Sequence, residues 1–233
     1  MQIFYAPEVK GSGCVLDPIE SGHCVRVLRM KKGSSVTLVD GKGNLYEGFI
    51  SDPNPHGCEI TITETKKDFE KRDYRLHIAI SPLKNYDRFE WFVEKSVEIG
   101  IDEITPILCR NTEKPGIKAD RINNIIISAM KQSVKAFRPV LNQMVTFEEF
   151  QDLDLPGNRM IAHCRKSERS RIDRVYRKGE DAVILIGPEG DFTEEEVARA
   201  VNNGYKPVHL GMSRLRTETA GICACHSIYF INQ

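Results

Sequence analysis

The sequence predicts an α/β protein in two parts, a small β-rich unit at the N-terminal end and a larger domain on a parallel sheet. Two patterns predict it. As far as Thr63, apolar residues alternate with polar ones in short runs broken by glycine and proline, as in half-buried strands. From Tyr74 onward, apolar runs of strand length alternate with segments whose apolar residues recur at helical spacing, as strand–helix–strand units require. The 233 residues are enough for one large or two modest cores.

In chain order, Asp17-Pro18-Ile19-Glu20 reads as an N-cap, a proline at the first helical position and a capping-box glutamate. A short helix then carries Ile19, His23 and Val27 along one side. Ser35–Val39 and Leu45–Ser51 are strand-like, joined by the glycine-bearing turn Asp40-Gly41-Lys42-Gly43-Asn44. Glu59–Thr63 alternates as a strand. The charged stretch Lys66–Asp73 is placed as the linker, dividing the chain into residues 1–70 and 71–233. Beyond it, strands are expected at Tyr74–Ile80, Ile104–Cys109, Arg159–Cys164, Asp181–Ile186 and Pro207–Leu210. Helices are expected at Tyr86–Gly100 (Phe89, Phe92, Val93 and Val97 inward), Ala119–Phe137, from a capping box at Thr193, and Thr219–Ile231.

Charge and composition narrow the function. The chain carries 33 Lys+Arg and 33 Asp+Glu, which excludes a uniformly basic coat for nucleic acid but not a local basic face. Arg26, Arg29, Lys31 and Lys32 cluster early, and five arginines and two lysines crowd residues 165–179. No apolar run approaches membrane-spanning length, and the first residues lack the pattern of a secretory signal. Seven cysteines without such a signal read as reduced thiols of a cytoplasmic protein.

Chemistry on a parallel sheet gathers at the C-terminal ends of its strands. Three segments fall there. Leu185–Phe192 places two glycines around a rigid proline between a strand and a capped helix, so backbone approaches a ligand closely. Leu210–Ala220 brings two arginines, two threonines and a carboxylate to one mouth. The third is the exit Ala162-His163-Cys164-Arg165. The first two loops, after neighbouring strands, make a site expectation that neither makes alone. No G-x-G-x-x-G, Walker lysine or G-x-S-x-G motif is present. Cys223, Cys225 and His226 lie in an apolar helix where the two thiols diverge by roughly 200°, so core thiols are favoured and no metal is expected. His163 reads as a satisfied structural histidine ahead of a base, and Trp91 as core packing with Phe89 and Phe92.

The segments LIGPEGDFTEEEV (185–197) and LGMSRLRTETA (210–220) resemble the RsmE family, bacterial 16S ribosomal RNA uracil-N3 methyltransferases of the SPOUT superfamily. The resemblance extends to HCVRVLRM (23–30) with Gly33, to Asp40-Gly41, to EKSVEIG (94–100) and to Ile104-Thr105-Pro106, and so spans nearly the whole chain. The sequence departs at Met212-Ser213, where a bulkier aliphatic is usual, and at Asp191, where glycine is frequent. The resemblance implies a PUA-like β-barrel over 1–70 and a SPOUT domain with a C-terminal trefoil knot over 71–233. It also implies S-adenosyl-L-methionine as cofactor, a homodimer, and 16S rRNA or the small ribosomal subunit as partner. Carried over by motif, the cofactor contacts fall on Leu185, Gly187, Glu189 and Gly190, then on Leu210, Gly211, Leu215, Arg216 and Thr219, with His163 beside them.

Uracil N3 is a poor nucleophile until its proton leaves. A guanidinium beside O2 and O4 would stabilise the resulting anion, a role expected for Arg216 with Arg214 second. Glu189 or Glu218 would take the proton. Arg26, Arg29, Lys32 and Arg165 are expected to hold RNA phosphates without reading sequence. Two alternatives remain at this stage: an inactive RNA-binding assembly module and a ribose 2′-O-methyltransferase.

Overall fold

The computed structural model describes residues 2–233. Two compact units emerge. One runs to Lys71 and takes in Ile127–Arg138; the other comprises Arg72–Ile126 and Pro139–Gln233.

The first unit holds β1 (Ile3–Tyr5), β2 (Gly13–Val15), α1 (Pro18–Gly22), a π-helical turn (His23–Val27), β3 (Ser35–Val39), β4 (Leu45–Asp52) and β5 (Glu59–Lys66). They form one curled sheet in the order β1-β3-β4-β5-β2, with register shifts in β4 at Glu47/Gly48 and Ile50/Asp52. Such shifts bend a strand and raise its twist. The expected barrel is thus a half-barrel whose edge strands do not pair with each other. Phe4, Leu16, Leu38 and Ile50 fill its core with the thiols of Cys14, Cys24 and Cys58. Asp40 shapes the β3–β4 turn, its Oδ1 accepting the N–H groups of Lys42 (2.7 Å) and Asn44 (3.0 Å).

One expectation here is corrected. Asp17 caps α1 as predicted, accepting the Ile19 and Glu20 N–H groups at 2.8 Å. Glu20, however, does not close a capping box: it is buried and pairs with Lys131. The side that carries Ile19, His23 and Val27 is an outer one, with Ile19 and Val27 82% and 66% exposed. The helix widens at His23, where Leu28 N–H donates to the His23 carbonyl at 3.0 Å, and Ser21 and Cys24 take the inner side instead.

The second unit contains β6 (Leu76–Ile80), α2 (Tyr86–Ile99), β7 (Glu103–Leu108), the start of α3 (Ala119–Gln132), β8 (Val140–Leu141), β9 (Val145–Thr146), α4 (Phe147–Gln151), β10 (Asn158–Ala162), β11 (Ser170–Arg171), α5 (Ile172–Val175), β12 (Ala182–Ile186), α6 (Glu194–Asn202), β13 (Lys206–His209) and α7 (Thr217–Ile231). The strands are parallel, in the order β11-β13-β10-β12-β6-β7-β8, with β9 also against β7. Strands β6 and β12 are buried along their whole length, which accounts for their unbroken apolar runs.

Further corrections follow from helix phase and from local contacts. α3 ends at Gln132, short of Phe137, because Val134 takes a left-handed φ of 59°. Trp91 is 46% exposed rather than core, since it lies about 200° around α2 from Phe89 while Phe92, Val93, Ser96 and Val97 share the buried face. Cys225 is buried, its thiol donating to the Ser96 carbonyl at 3.7 Å, whereas Cys223 is half-buried. The charged stretch around residue 70 is not wholly solvated. Arg72 donates to the Gly100 carbonyl and, at 2.5 Å, to Asp102 Oδ1.

Candidate active site

β10 lies between β13 and β12, so the two motif-bearing strands are not themselves neighbours. Ala162 stands level with Ile186 on one side and Val208 on the other. The three strands therefore end together, and the loops that leave them enclose one cavity of about 850 Å³. That is within the roughly 300–1,000 Å³ typical of small-molecule sites.

The loop after β12 is a tight turn, with Asp191 N–H donating to the Pro188 carbonyl at 2.9 Å. A Cβ on Gly187 would come within 3.0 Å of the Phe192 ring, which explains glycine there. Phe192 is fully buried and packs on Phe147, ring centroids 5.7 Å apart. Asn111 donates to the carbonyls of Gly190 (3.3 Å) and Asp191 (2.9 Å), and Lys84 N–H donates to Glu189 Oε1 at 3.1 Å. Thr193 then opens α6 with the predicted capping box to Glu196. The loop after β13 is open. Gly211 has φ 112°, Met212 is 98% exposed, and Arg216 is the N-cap residue of α7.

The β10 exit joins the two. Cys164 N–H donates to Asp191 Oδ2 at 2.8 Å, and Arg165 Nε to the Phe192 carbonyl at 2.8 Å. His163 is 5% exposed. Its Nδ1 accepts the Arg165 N–H at 3.2 Å, while Nε2 has no partner among the described residues. It is therefore not the satisfied structural histidine expected. Burial pushes its pKa down; Asp191 opposes that, and Arg169 and Arg165 add to it. Arg169 also donates to the His163 carbonyl at 2.5 Å.

Of the sequence-chosen residues, His163, Gly187, Glu189, Leu210, Gly211, Leu215, Arg214 and Arg216 line the cavity. Leu185, Gly190, Thr219 and Glu218 do not. Leu185 alternates away into the core with Phe147 and Phe192, and Ile186 takes its place on the wall. Gly190 is exposed beside Asn111, and Thr219 is half-buried in α7. Glu218 is 6% exposed; Oε1 lies 3.8 Å from Arg88 Nε, and Oε2 is buried with no partner among the described residues. Arg26, Arg29 and Lys32 are exposed on the first unit, with Arg26 Nη2 3.0 Å from His56 Nε2. Arg165 is half-buried and tied to Phe192.

The residues missed are Arg88, Ser167, Arg169, Asp191 and Thr217, all on the cavity wall. Arg169 lies within the basic run already noted, whereas Arg88 reaches the wall from α2 with no signal in the sequence around it. Four guanidinium groups (Arg88, Arg169, Arg214, Arg216) thus face two carboxylates, Glu189 and Asp191. The wall suits a ligand with anionic or electron-rich edges.

Comparison with known proteins agrees with this geometry. An RNA methyltransferase domain model matches residues 70–229, and an RNA methyltransferase PUA domain model matches residues 17–63. The chain is 27% identical over 208 residues to ribosomal RNA small subunit methyltransferase E of Rickettsia conorii, covering 87% of this chain and 83% of that one. A crystal structure of a probable rRNA-methyltransferase from Porphyromonas gingivalis is similar at TM-score 0.93 and 40% identity, covering 100% and 98% of the two chains. The Neisseria gonorrhoeae small subunit methyltransferase E, solved with S-adenosyl methionine, is similar at TM-score 0.88 and 27% identity, covering 99% and 97%. The chain belongs to the RNA methyltransferase domain family, and within it to the RsmE group whose motifs it carries.

Proposed function

We propose that this protein transfers a methyl group from S-adenosyl-L-methionine to N3 of a uracil in 16S ribosomal RNA. The observation that carries the reading is the single cavity at the joint ends of β10, β12 and β13, walled by both motif loops. It is supported by the relatives' named activity and by the S-adenosyl methionine in the gonococcal structure.

The residues present fit that cofactor. Gly187 and Gly211 line the cavity without side chains, and the buried Nε2 of His163 lacks a partner among the described residues. Gly187, Glu189, Leu210, Gly211 and Leu215 would hold it, with Ile186 on the wall where the motif points to Leu185. The bound cofactor supplies an electrophilic methyl group.

The chain's task is then alignment and proton management. Glu218, off the wall itself but next in sequence to the lining Thr217 at the start of α7, is the better acceptor for the N3 proton. Its Oε2 is buried and unpartnered among the described residues, whereas Glu189 is exposed and already accepts from Lys84. Arg216, exposed at the N-cap of α7, stabilises the anion that forms over O2 and O4, with Arg214 beside it on the wall. Arg26, Arg29 and Lys32 hold phosphates. A homodimer is supported by α7, which is apolar around its circumference yet leaves Phe230 69% exposed and His226 stacked on it at 6.0 Å.

Methyl transfer from radiolabelled cofactor to small ribosomal subunits, followed by nucleoside analysis, tests the reading. Label in 3-methyluridine supports it. Label in a ribose-methylated nucleoside moves the chemistry to the 2′-hydroxyl, and no label leaves an RNA-binding module.

A further inference from the structure

We infer that His163 is a fixed-tautomer hydrogen-bond donor: its Nε2–H is reserved for an acceptor atom of the bound adenosyl ligand, and the backbone of Arg165 enforces that choice. The inference rests on the function proposed above and names a determinant of how that site holds its ligand.

The argument starts from the ring's two nitrogens. A backbone N–H only donates, and the Arg165 N–H points at Nδ1 across 3.2 Å. Nδ1 is therefore an acceptor, and in the neutral ring the proton sits on Nε2. Protonating Nδ1 as well would set two donors against each other and add a cation close to Arg169 and Arg165 in a buried place, with only Asp191 to offset it. The ring thus stays neutral with its proton at Nε2.

That Nε2–H is sealed from solvent and has no acceptor among the described residues, although the residue lines the cavity. A buried donor without a partner is costly, and such groups are rare in folded chains. The surroundings show that the ring is positioned rather than left over. Arg169 grips the His163 carbonyl at 2.5 Å, and Asp191 grips the next residue's N–H at 2.8 Å. Two side chains fix the backbone at His163 and Cys164, and one backbone amide holds the imidazole itself, leaving only its donor unused. The adenosyl part of the cofactor, with its ribose oxygens and ring nitrogens, offers acceptors of the required kind.

Calorimetry with S-adenosylmethionine and S-adenosylhomocysteine, paired with side-chain 15N NMR of the wild-type protein, tests this. The NMR spectrum should show His163 as the Nε2–H tautomer in the free protein, with the Nε2 signal moving on saturation with either ligand. His163→Ala should weaken both ligands by roughly tenfold or more. His163→Gln, which can place an N–H near the same point, should recover much of that loss. An Nδ1–H tautomer, an Nε2 signal indifferent to saturating ligand, or an unchanged affinity in His163→Ala overturns the inference while leaving the proposed function standing. Wild-type protein that takes up neither ligand overturns both.

Discussion

Asp191 and Cys164 tie two of the three loops around the cavity together: the aspartate's Oδ2 accepts the cysteine's backbone N–H at 2.8 Å. Oδ1 of the same side chain accepts the Phe192 N–H at 2.8 Å. Asp191 does this from a left-handed φ of 63°, a conformation that costs most residues about 1 kcal/mol or more. Glycine would relieve the strain but could not join the β10 exit to the turn after β12.

Asp191→Ala should therefore destabilise the fold by about 1–3 kcal/mol, since it keeps the strain and loses both acceptors. Asp191→Gly should lose less stability but weaken cofactor binding more than it lowers the melting point. Urea titration and calorimetry on both variants separate the two effects. Equal behaviour of Ala and Gly would show that the backbone conformation carries no strain.

Arg216 and Glu218 are two residues apart yet differ in environment, one exposed on the cavity wall and the other 6% exposed off it. Arg216→Ala should cut single-turnover methyl transfer on the order of 100-fold with little change in cofactor affinity, because the charge it meets exists only as the reaction proceeds. Parallel losses of rate and affinity would place Arg216 in cofactor binding instead.

Glu218→Gln should also cost about 100-fold or more in rate, while Glu189→Gln should stay within a few-fold. Should the Glu189 variant be the slower, the proton leaves by the exposed route past Lys84, and the buried carboxylate is structural.

Two buried imidazoles make stability depend on pH. Burial lowers the pKa of His163 and of His77. His77 Nε2 lies 2.7 Å from Thr105 Oγ1; nearby Glu103 partly opposes the lowering and Arg75 reinforces it. Between the lowered values and the ordinary one of about 6.5, the unfolded chain binds protons that the fold excludes. Their contribution is thus fully present above about pH 6.5 and is lost as the pH falls below it. The melting temperature should drop between pH 7.5 and 5.5, and by less in a His77→Gln/His163→Gln variant. The same drop in that variant would assign the effect to other groups.

What could be read from the sequence was what local chemistry decides. Asp17 and Thr193 cap helices, Gly100 ends α2, and β3 and β12 come from unbroken or alternating apolar runs. The short pieces β8, β9, β11, α4 and α5 have too few residues to show a period. The insertion of β10 between the motif strands comes from non-local pairing, and Arg88 and Asn111 join the site region across more than 70 residues of chain. Leu185 faces the core and Ile186 the cavity, a distinction hidden in the sequence because motif identity does not tell which of two successive strand residues faces the cavity.

The last prediction concerns RNA affinity, which salt reports directly. Arg26, Arg29 and Lys32 are exposed cations with no carboxylate in a salt bridge to them among the described residues; Arg26 meets only the His56 ring. A cation that sits on a phosphate releases a counterion and adds to the slope of log affinity against log salt, by roughly 0.7 to 0.9 per contact. Arg26→Glu with Arg29→Glu should therefore weaken RNA binding at every salt concentration and flatten that slope by about 1.5. The cofactor cavity is lined wholly by residues of the second unit, so S-adenosylmethionine affinity should not change. A weakened affinity with an unaltered slope would mean that these residues shape the first unit rather than touch phosphate.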